Sequence, residues 1–182
     1  MPAKRTGKPD PRLAFLSAEA FLEVCKVMTA ALRAGNTRIL SLALATNAAF
    51  SLEMYLKCLL LLEQGLAARG HDIYALFHSL SSATQSELTR AHEKFVESNS
   101  ALMERLSQEG LPTNLEDLLK RGRNAFTDFR YAHEQIPSKT DFALNGLTKC
   151  VRERILELQP SWDSALQDIA DAEAVRLAAS RG

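Results

Sequence analysis

The stretch ILSLALATNAAFSLEMYLKCLLLL, residues 39–62, decides the fold of this chain because it is almost continuously apolar. Its only charged residues are Glu53 and Lys57. A helix that is apolar around its whole circumference is normally buried around its whole circumference. We therefore expect a central helix, with the two charges in or at the rim of a core or a subunit interface.

Glu53 and Lys57 are four residues apart, so on a helix they lie one above the other on the same face. An acid N-terminal to a lysine is the favoured orientation for such a pair. Buried charges are costly unless they are paired and hydrogen-bonded. The pair is therefore the first lead to function, although most buried pairs are structural.

The composition describes an ordinary globular chain. Its 182 residues carry a formal net charge of zero, so no overall field draws the protein to nucleic acid or membrane. Cys25, Cys58 and Cys150 are odd in number and widely spaced, which is typical of reduced thiols in an intracellular, cytoplasmic protein. Residues 39–62 are long enough to span a membrane, but their polar and charged residues favour a protein core.

Turn and capping residues divide the chain into helical segments, and no segment alternates with a period of two. We predict a single-domain, all-α bundle of about six or seven helices over residues 13–182, preceded by a disordered basic tail over residues 1–12. The predicted helices are 17–34, 37–64, 72–80, 81–109, 115–135, 141–158 and 162–179.

Several familiar chemistries have no support in the sequence. It contains no glycine-rich phosphate loop, no GxSxG, no CxxC and no HExxH, and no two of its four histidines are four residues apart. We therefore expect no metal ion and no cofactor.

The segment LEDLLKRGRNAFTDFRYAHEQ, residues 115–135, is the second lead. On one continuous helix, Arg123, Arg130 and Glu134 share a stripe, and Arg130 and His133 flank the same groove. Arginines bind phosphate bidentately and histidine transfers protons, so Arg123, Arg130, Tyr131 and His133 together suit a phosphodiester. The plainer interpretation is a solvated Arg130–Glu134 ion pair with His133 at the edge of the core. Gly122 indicates a close helix approach.

With both segments in view, the chain resembles the HEPN family (higher eukaryotes and prokaryotes nucleotide-binding domains). The resemblance rests on NAAFSLEMYLKCLLLLEQG at 47–65, GHDIYALF at 70–77 and RNAFTDFRYAHE at 123–134. It implies a small helical bundle that pairs as a homodimer. Many such domains are metal-independent ribonucleases of toxin–antitoxin or defence systems, and others are inactive modules that bind RNA or a protein partner.

The family's catalytic signature is an arginine followed, after four to six residues, by a histidine, often supported by an acid and a lysine on a preceding helix. Glu53 and Lys57 match the supporting pair. Two residues separate Arg130 from His133 and nine separate Arg123 from His133, so the main motif departs from the family's spacing. The resemblance implies a polar seam in which Asn47, Glu53 and Lys57 face a second group of residues, namely Arg123, Arg130, Tyr131 and Glu134. In a ribonuclease of this kind, Arg123 and Arg130 would clamp the phosphate and His133 or a neighbouring residue would be the acid–base catalyst.

Two functions remain open at this point. The first is an RNA-directed homodimer that cleaves or binds RNA through the seam. The second is a non-catalytic, antitoxin-like module in which the seam holds the dimer together and the chain pairs with a protein such as a nucleotidyltransferase. Binding of a nucleotide or another small anion is a third, less supported idea.

Overall fold

The computed structural model describes residues 8–35, 39–131 and 143–163. Within these ranges it contains eight helices and no strand, which confirms the predicted all-α bundle. The helices are α1 Pro11–Arg33, α2 Ile39–Gln64, α3 Ile73–His78, α4 Ser82–Glu97, α5 Ser100–Gln108, α6 Leu115–Gly122, α7 Ala125–Arg130 and α8 Asn145–Leu158.

Helix α2 lies at the centre of the bundle, as its apolar sequence predicts. It packs most extensively against α1 and also contacts α3, α7 and α8. Leu52, Leu56 and Leu59 are completely buried along it. The segment Ser41–Gln64 is long and apolar enough to cross a membrane. Just over half of its most apolar 18-residue stretch is buried within the protein. Burial in a core accounts for that composition.

Side-chain caps begin most of the remaining helices. The side chains of Asp72, Ser81, Asn99 and Asn114 accept hydrogen bonds from the backbone N–H groups that open α3, α4, α5 and α6, respectively. These bonds satisfy donors that have no partner within the helix. The helices that we predicted to begin at 72, 81 and 115 therefore start within one residue of the predicted positions.

The first helix begins six residues before the predicted start at Ser17. The Asp10 side chain accepts a hydrogen bond from the Arg12 N–H, and Pro11 occupies the first helical position, where proline is favoured. Ser17 instead bonds through its hydroxyl to the Leu13 carbonyl, inside the helix. Pro11 and Arg12, which we had assigned to the tail, therefore belong to α1; residues 1–7 lie outside the described residues.

Two segments that we predicted as single helices are each divided in two. The segment 81–109 breaks after Glu97, and Asn99 caps the new helix. The segment 115–135 breaks after Gly122, at a point where the Arg123 carbonyl accepts a 2.8 Å hydrogen bond from the Ile73 N–H. A carbonyl group that is bonded in this way does not accept the hydrogen bond that a continuous helix requires. The continuous helical stripe that we predicted to run from Arg123 through Arg130 is therefore not formed.

Gly122 marks a close approach, as its position in a helical pattern suggests. A Cβ atom at this residue would lie 2.8 Å from Cδ1 of the buried Leu144, just before α8. The C-terminal end of α6 can therefore approach the start of α8 closely, because residue 122 has no side chain. The predicted end of 115–135, the start at 141 and most of 162–179 lie outside the described residues.

Candidate functional site

The predicted pair of charges on α2 is present and buried. Nζ of Lys57 lies 2.7 Å from Oε1 of Glu53, and the Glu53 side chain is 0% exposed whereas that of Lys57 is 17% exposed. A carboxylate at this depth requires compensating donors. Lys57 supplies one of these donors, and its side chain extends from the core towards solvent.

His71 supplies the second donor to Glu53, although sequence reasoning did not assign it to the site. Its Nδ1 atom lies 3.0 Å from Oε1 and 3.0 Å from Oε2 of Glu53. The turn before α3 positions this ring: Gly70 adopts a φ of +86°, a conformation that glycine reaches without strain, and Asp72 caps the helix. The Gly70-His71-Asp72 turn was the feature of the sequence that could have identified His71 as a site residue.

The geometry defines which nitrogen of His71 is available for chemistry. An ionised carboxylate only accepts hydrogen bonds, so Nδ1 carries the proton that faces Glu53. Nε2 is then the acceptor, and no described residue hydrogen-bonds to it. The His71 side chain is 52% exposed. A carboxylate that orients one ring nitrogen and leaves the other open to solvent is the arrangement of a general base.

Aromatic rings connect His71 to α7. The His71 ring lies 5.2 Å from that of Phe126, which stacks in turn on Phe50 at 4.7 Å with an interplanar angle of 28°. The guanidinium of Arg130 lies 6.0 Å from the centre of the same Phe126 ring. Helices α2 and α7 pack against each other, and the contacts that link Glu53 to Arg130 run through His71 and Phe126.

Arg123 occupies a different position from the phosphate clamp that we predicted. Its Nε atom lies 3.1 Å from Oδ2 of Asp72, and a second guanidinium nitrogen bonds to the same oxygen. Burial alone would raise the pKa of Asp72, but the hydrogen bonds from the Ala75 N–H and from Arg123 lower it below its usual value. Arg123 thus anchors the turn that carries His71 to the junction of α6 and α7.

The other predicted residues are distributed as follows. Asn47 donates a 2.7 Å hydrogen bond to the Ala43 carbonyl of its own helix and lies near Met28 of α1. Tyr131 follows α7, and its ring lies 5.4 Å from the Arg130 guanidinium. His133 and Glu134 lie outside the described residues.

A second histidine–carboxylate pair lies nearby but is arranged differently. Nε2 of His78 lies 3.1 Å from Glu116, and Nδ1 lies 3.1 Å from Oε1 of Gln85, so both ring nitrogens are engaged. Hydrogen bonds from Tyr74 first, and then from Lys120 and His78, lower the pKa of Glu116. Unlike His71, His78 presents no open nitrogen to a substrate.

The part of the chain that the structure describes offers no site for thiol or metal chemistry. Burial raises the pKa of Cys25 and Cys150 to about 11 and that of Cys58 to about 12, so these thiols stay protonated at neutral pH. Among the described residues, no group of three His, Cys, Asp or Glu side chains is placed to hold a metal ion.

Comparisons with known proteins add no relative. No protein-family model, no curated protein and no solved structure matches the chain.

Proposed function

We propose that this chain is an RNA-directed protein of HEPN type that cleaves phosphodiester bonds without a metal ion, as toxin–antitoxin or defence ribonucleases do. The observation that carries the proposal is the bond from Nδ1 of His71 to both oxygens of the buried Glu53, which leaves Nε2 without a hydrogen-bond partner among the described residues. His71 thereby takes the acid–base role that the sequence had suggested for His133.

The reaction follows from the chemistry of RNA. Nε2 of His71 accepts the proton of a ribose 2′-hydroxyl, whose oxygen forms a bond to the adjacent phosphorus. The bond from phosphorus to the 5′-oxygen of the next nucleotide breaks, and that oxygen receives the proton back from His71. The products are a 2′,3′-cyclic phosphate and a 5′-hydroxyl. The nucleophile belongs to the substrate, so the protein needs to supply only proton transfer and charge stabilisation.

Two cationic side chains near His71 are suited to binding the phosphate group of the RNA substrate. Lys57 carries three N–H donors, one of which points to Glu53, and its side chain is partly exposed. Arg130 is exposed and reaches the Phe126 ring that also contacts His71. Charge-assisted hydrogen bonds from such groups stabilise the charge that develops on the phosphate oxygens.

A homodimer is part of the proposal, and α1 offers a surface for it. Leu13, Val24 and Val27 are 63%, 43% and 64% exposed and lie within a narrow arc of the helix. Exposed apolar stripes of this kind commonly mark protein interfaces. We assign the dimer contact to this stripe of α1.

The test is cleavage of labelled total RNA by the purified protein in EDTA. His71→Gln removes the proton acceptor and is expected to slow cleavage by roughly 10²- to 10⁴-fold. Arg130→Ala is expected to reduce it as well. His78→Gln is the matched control, because it removes an exposed, carboxylate-bound histidine outside the site. Unchanged cleavage by His71→Gln, or no cleavage by a folded wild-type protein, would overturn the proposal.

One observation favours the non-catalytic alternative. Both oxygens of Glu53 are engaged by Lys57 and His71 at a fully buried position, so the cluster also holds α2 to the turn before α3. A folded protein that neither cuts nor binds RNA, but binds a protein such as a nucleotidyltransferase, would support a module of this second kind.

A further inference from the structure

A groove that is separate from the His71 site lies between α3, α4 and α6. Its volume is about 440 Å³, and sites that hold drug-sized molecules measure roughly 300–1,000 Å³. Its apolar floor consists of Phe77, Leu115 and Leu119, which are 3%, 2% and 0% exposed. These side chains belong to the core, so the floor is already formed before anything binds.

The uncharged polar side chains along the groove have partners within the protein. The amide nitrogen of Gln85 donates to the carbonyls of His78 and Leu80, at 3.2 and 2.8 Å. This leaves the amide oxygen of Gln85 facing Nδ1 of His78, 3.1 Å away. The hydroxyls of Ser86 and Thr89 donate to carbonyls one turn earlier in α4. None of these groups needs a ligand to satisfy it.

Glu116 also lines the groove, but both of its carboxylate oxygens are already bonded. Oε1 accepts a 2.9 Å hydrogen bond from the Tyr74 hydroxyl and lies 3.3 Å from Nζ of Lys120. Oε2 lies 3.1 Å from Nε2 of His78. The negative charge of Glu116 is therefore balanced by Lys120 and does not repel an anion in the groove.

Arg90 is the charged side chain of the groove that remains available. It lines the groove from α4 and is exposed, and no carboxylate of the described residues forms an ion pair with it. Its guanidinium presents N–H donors in a planar fork that matches the two oxygens of a carboxylate. The groove thus combines an apolar floor with one unpaired positive charge.

We propose that this groove binds a small apolar molecule with a single acidic group, such as an aromatic carboxylic acid. The apolar part covers Phe77, Leu115 and Leu119, and the acidic group bonds to Arg90. Further polar groups on the ligand would lose their hydrogen bonds to water without finding free partners in the groove. The site is independent of the proposed RNA cleavage, because His71 does not line it.

The experiment compares two fluorescent probes that brighten in apolar surroundings. Anilinonaphthalene sulfonate carries one negative charge, and N-phenylnaphthylamine is its uncharged counterpart. Arg90→Ala is expected to weaken binding of the charged probe roughly 3- to 10-fold, a modest loss because the guanidinium is exposed, and to leave binding of the uncharged probe unchanged. Arg33→Ala is the matched control, because Arg33 is an exposed arginine in the last turn of α1, outside the groove.

A second pair of variants tests where the probes bind without changing the core. Ser86→Trp places a large ring at an exposed position of the groove wall and is expected to weaken binding of both probes. Ala91→Trp makes the same change at an exposed position on the other side of α4 and is expected to have no effect. Circular dichroism shows whether each variant is folded.

Three results would overturn the proposal. The first is a folded wild-type protein that binds neither probe saturably. The second is an Arg90→Ala variant that binds the charged probe as tightly as wild type does. The third is a Ser86→Trp variant that binds both probes like wild type, which would place them elsewhere on the surface. RNA cleavage is tested separately through His71→Gln, so either proposal can fail without the other.

Discussion

Nδ1 of His71 lies 3.0 Å from both carboxylate oxygens of Glu53, a residue that precedes it by eighteen positions. One buried carboxylate therefore orients a half-exposed imidazole and pairs with Lys57 of its own helix. The same three side chains connect the core to the surface. Their removal is expected to affect both stability and chemistry.

Lys57→Ala is expected to destabilise the protein by about 3–5 kcal/mol, because it leaves the completely buried carboxylate of Glu53 without its charged partner. Chemical denaturation monitored by circular dichroism measures this loss. Glu23→Ala is the control: Glu23 pairs with Lys26 on the exposed face of α1, and an exposed pair contributes about 0–1 kcal/mol. Equal losses in the two variants would contradict a buried role for Glu53.

Tyr55→Phe and Tyr74→Phe remove the same hydroxyl from two different environments. Tyr55 is completely buried and donates to Glu19, and burial first, then Glu19, raises its pKa above the usual value. Loss of a hydrogen bond to a charged group in the core is expected to cost about 1.5–3 kcal/mol.

Tyr74 donates to Glu116 at a half-exposed position, where water can replace the hydroxyl. Its replacement is therefore expected to lower the free energy of unfolding by less than Tyr55→Phe does. Thermal unfolding of the two variants side by side provides the comparison, and a larger loss for Tyr74→Phe would refute it.

His92 is expected to make the protein less stable in mild acid. It is buried in α4, its Nδ1 has no hydrogen-bond partner among the described residues, and burial lowers its pKa below the usual 6.5. The unfolded chain therefore binds a proton near pH 6.5 that the folded chain does not, so the free energy of unfolding falls as the pH drops below 6.5.

The measurement is the difference in unfolding free energy between pH 7.5 and pH 5 for wild type and His92→Leu. The leucine variant is expected to show a smaller difference, since it has no group to protonate at this position. His78→Gln, which replaces an exposed histidine, controls for general titration. Identical differences for wild type and His92→Leu would argue against this role for burial.

Val27→Glu tests the assignment of the dimer contact to α1. Val27 is one of the most exposed large apolar side chains of the described surface, so a charge there is expected to leave the fold intact and to dissociate a dimer that uses this stripe. Sedimentation velocity measures the change in mass, with Met103→Glu as the control on α5. A dimer that persists in Val27→Glu places the contact elsewhere.

Local patterns predicted the parts of the fold that depend on nearby residues. The apolar segment 39–62 predicted the central helix, and the spacing of Glu53 and Lys57 predicted their contact. Turn and capping residues predicted the starts of α3 and α6. Each of these signals acts over a single helical turn or along a single helix.

The predictions that failed involved competing local signals or contacts between distant segments. Asp10 and Pro11 begin α1, although the charged and proline-rich surroundings favoured a tail. The helix predicted over 115–135 breaks where the Arg123 carbonyl bonds to Ile73, fifty residues earlier in the chain. A helical pattern contains no information about such a partner.

The sequence by itself thus determined an all-α fold and a charged pair buried in its central helix, because hydrophobic periodicity and i,i+4 spacing are local properties. Only the tertiary structure decided which histidine meets that pair. His71 reaches Glu53 because the turn at Gly70 and the anchoring of Asp72 by Arg123 bring α3 back against α2. Contacts of this kind depend on how helices pack, which the spacing of residues along one helix does not specify.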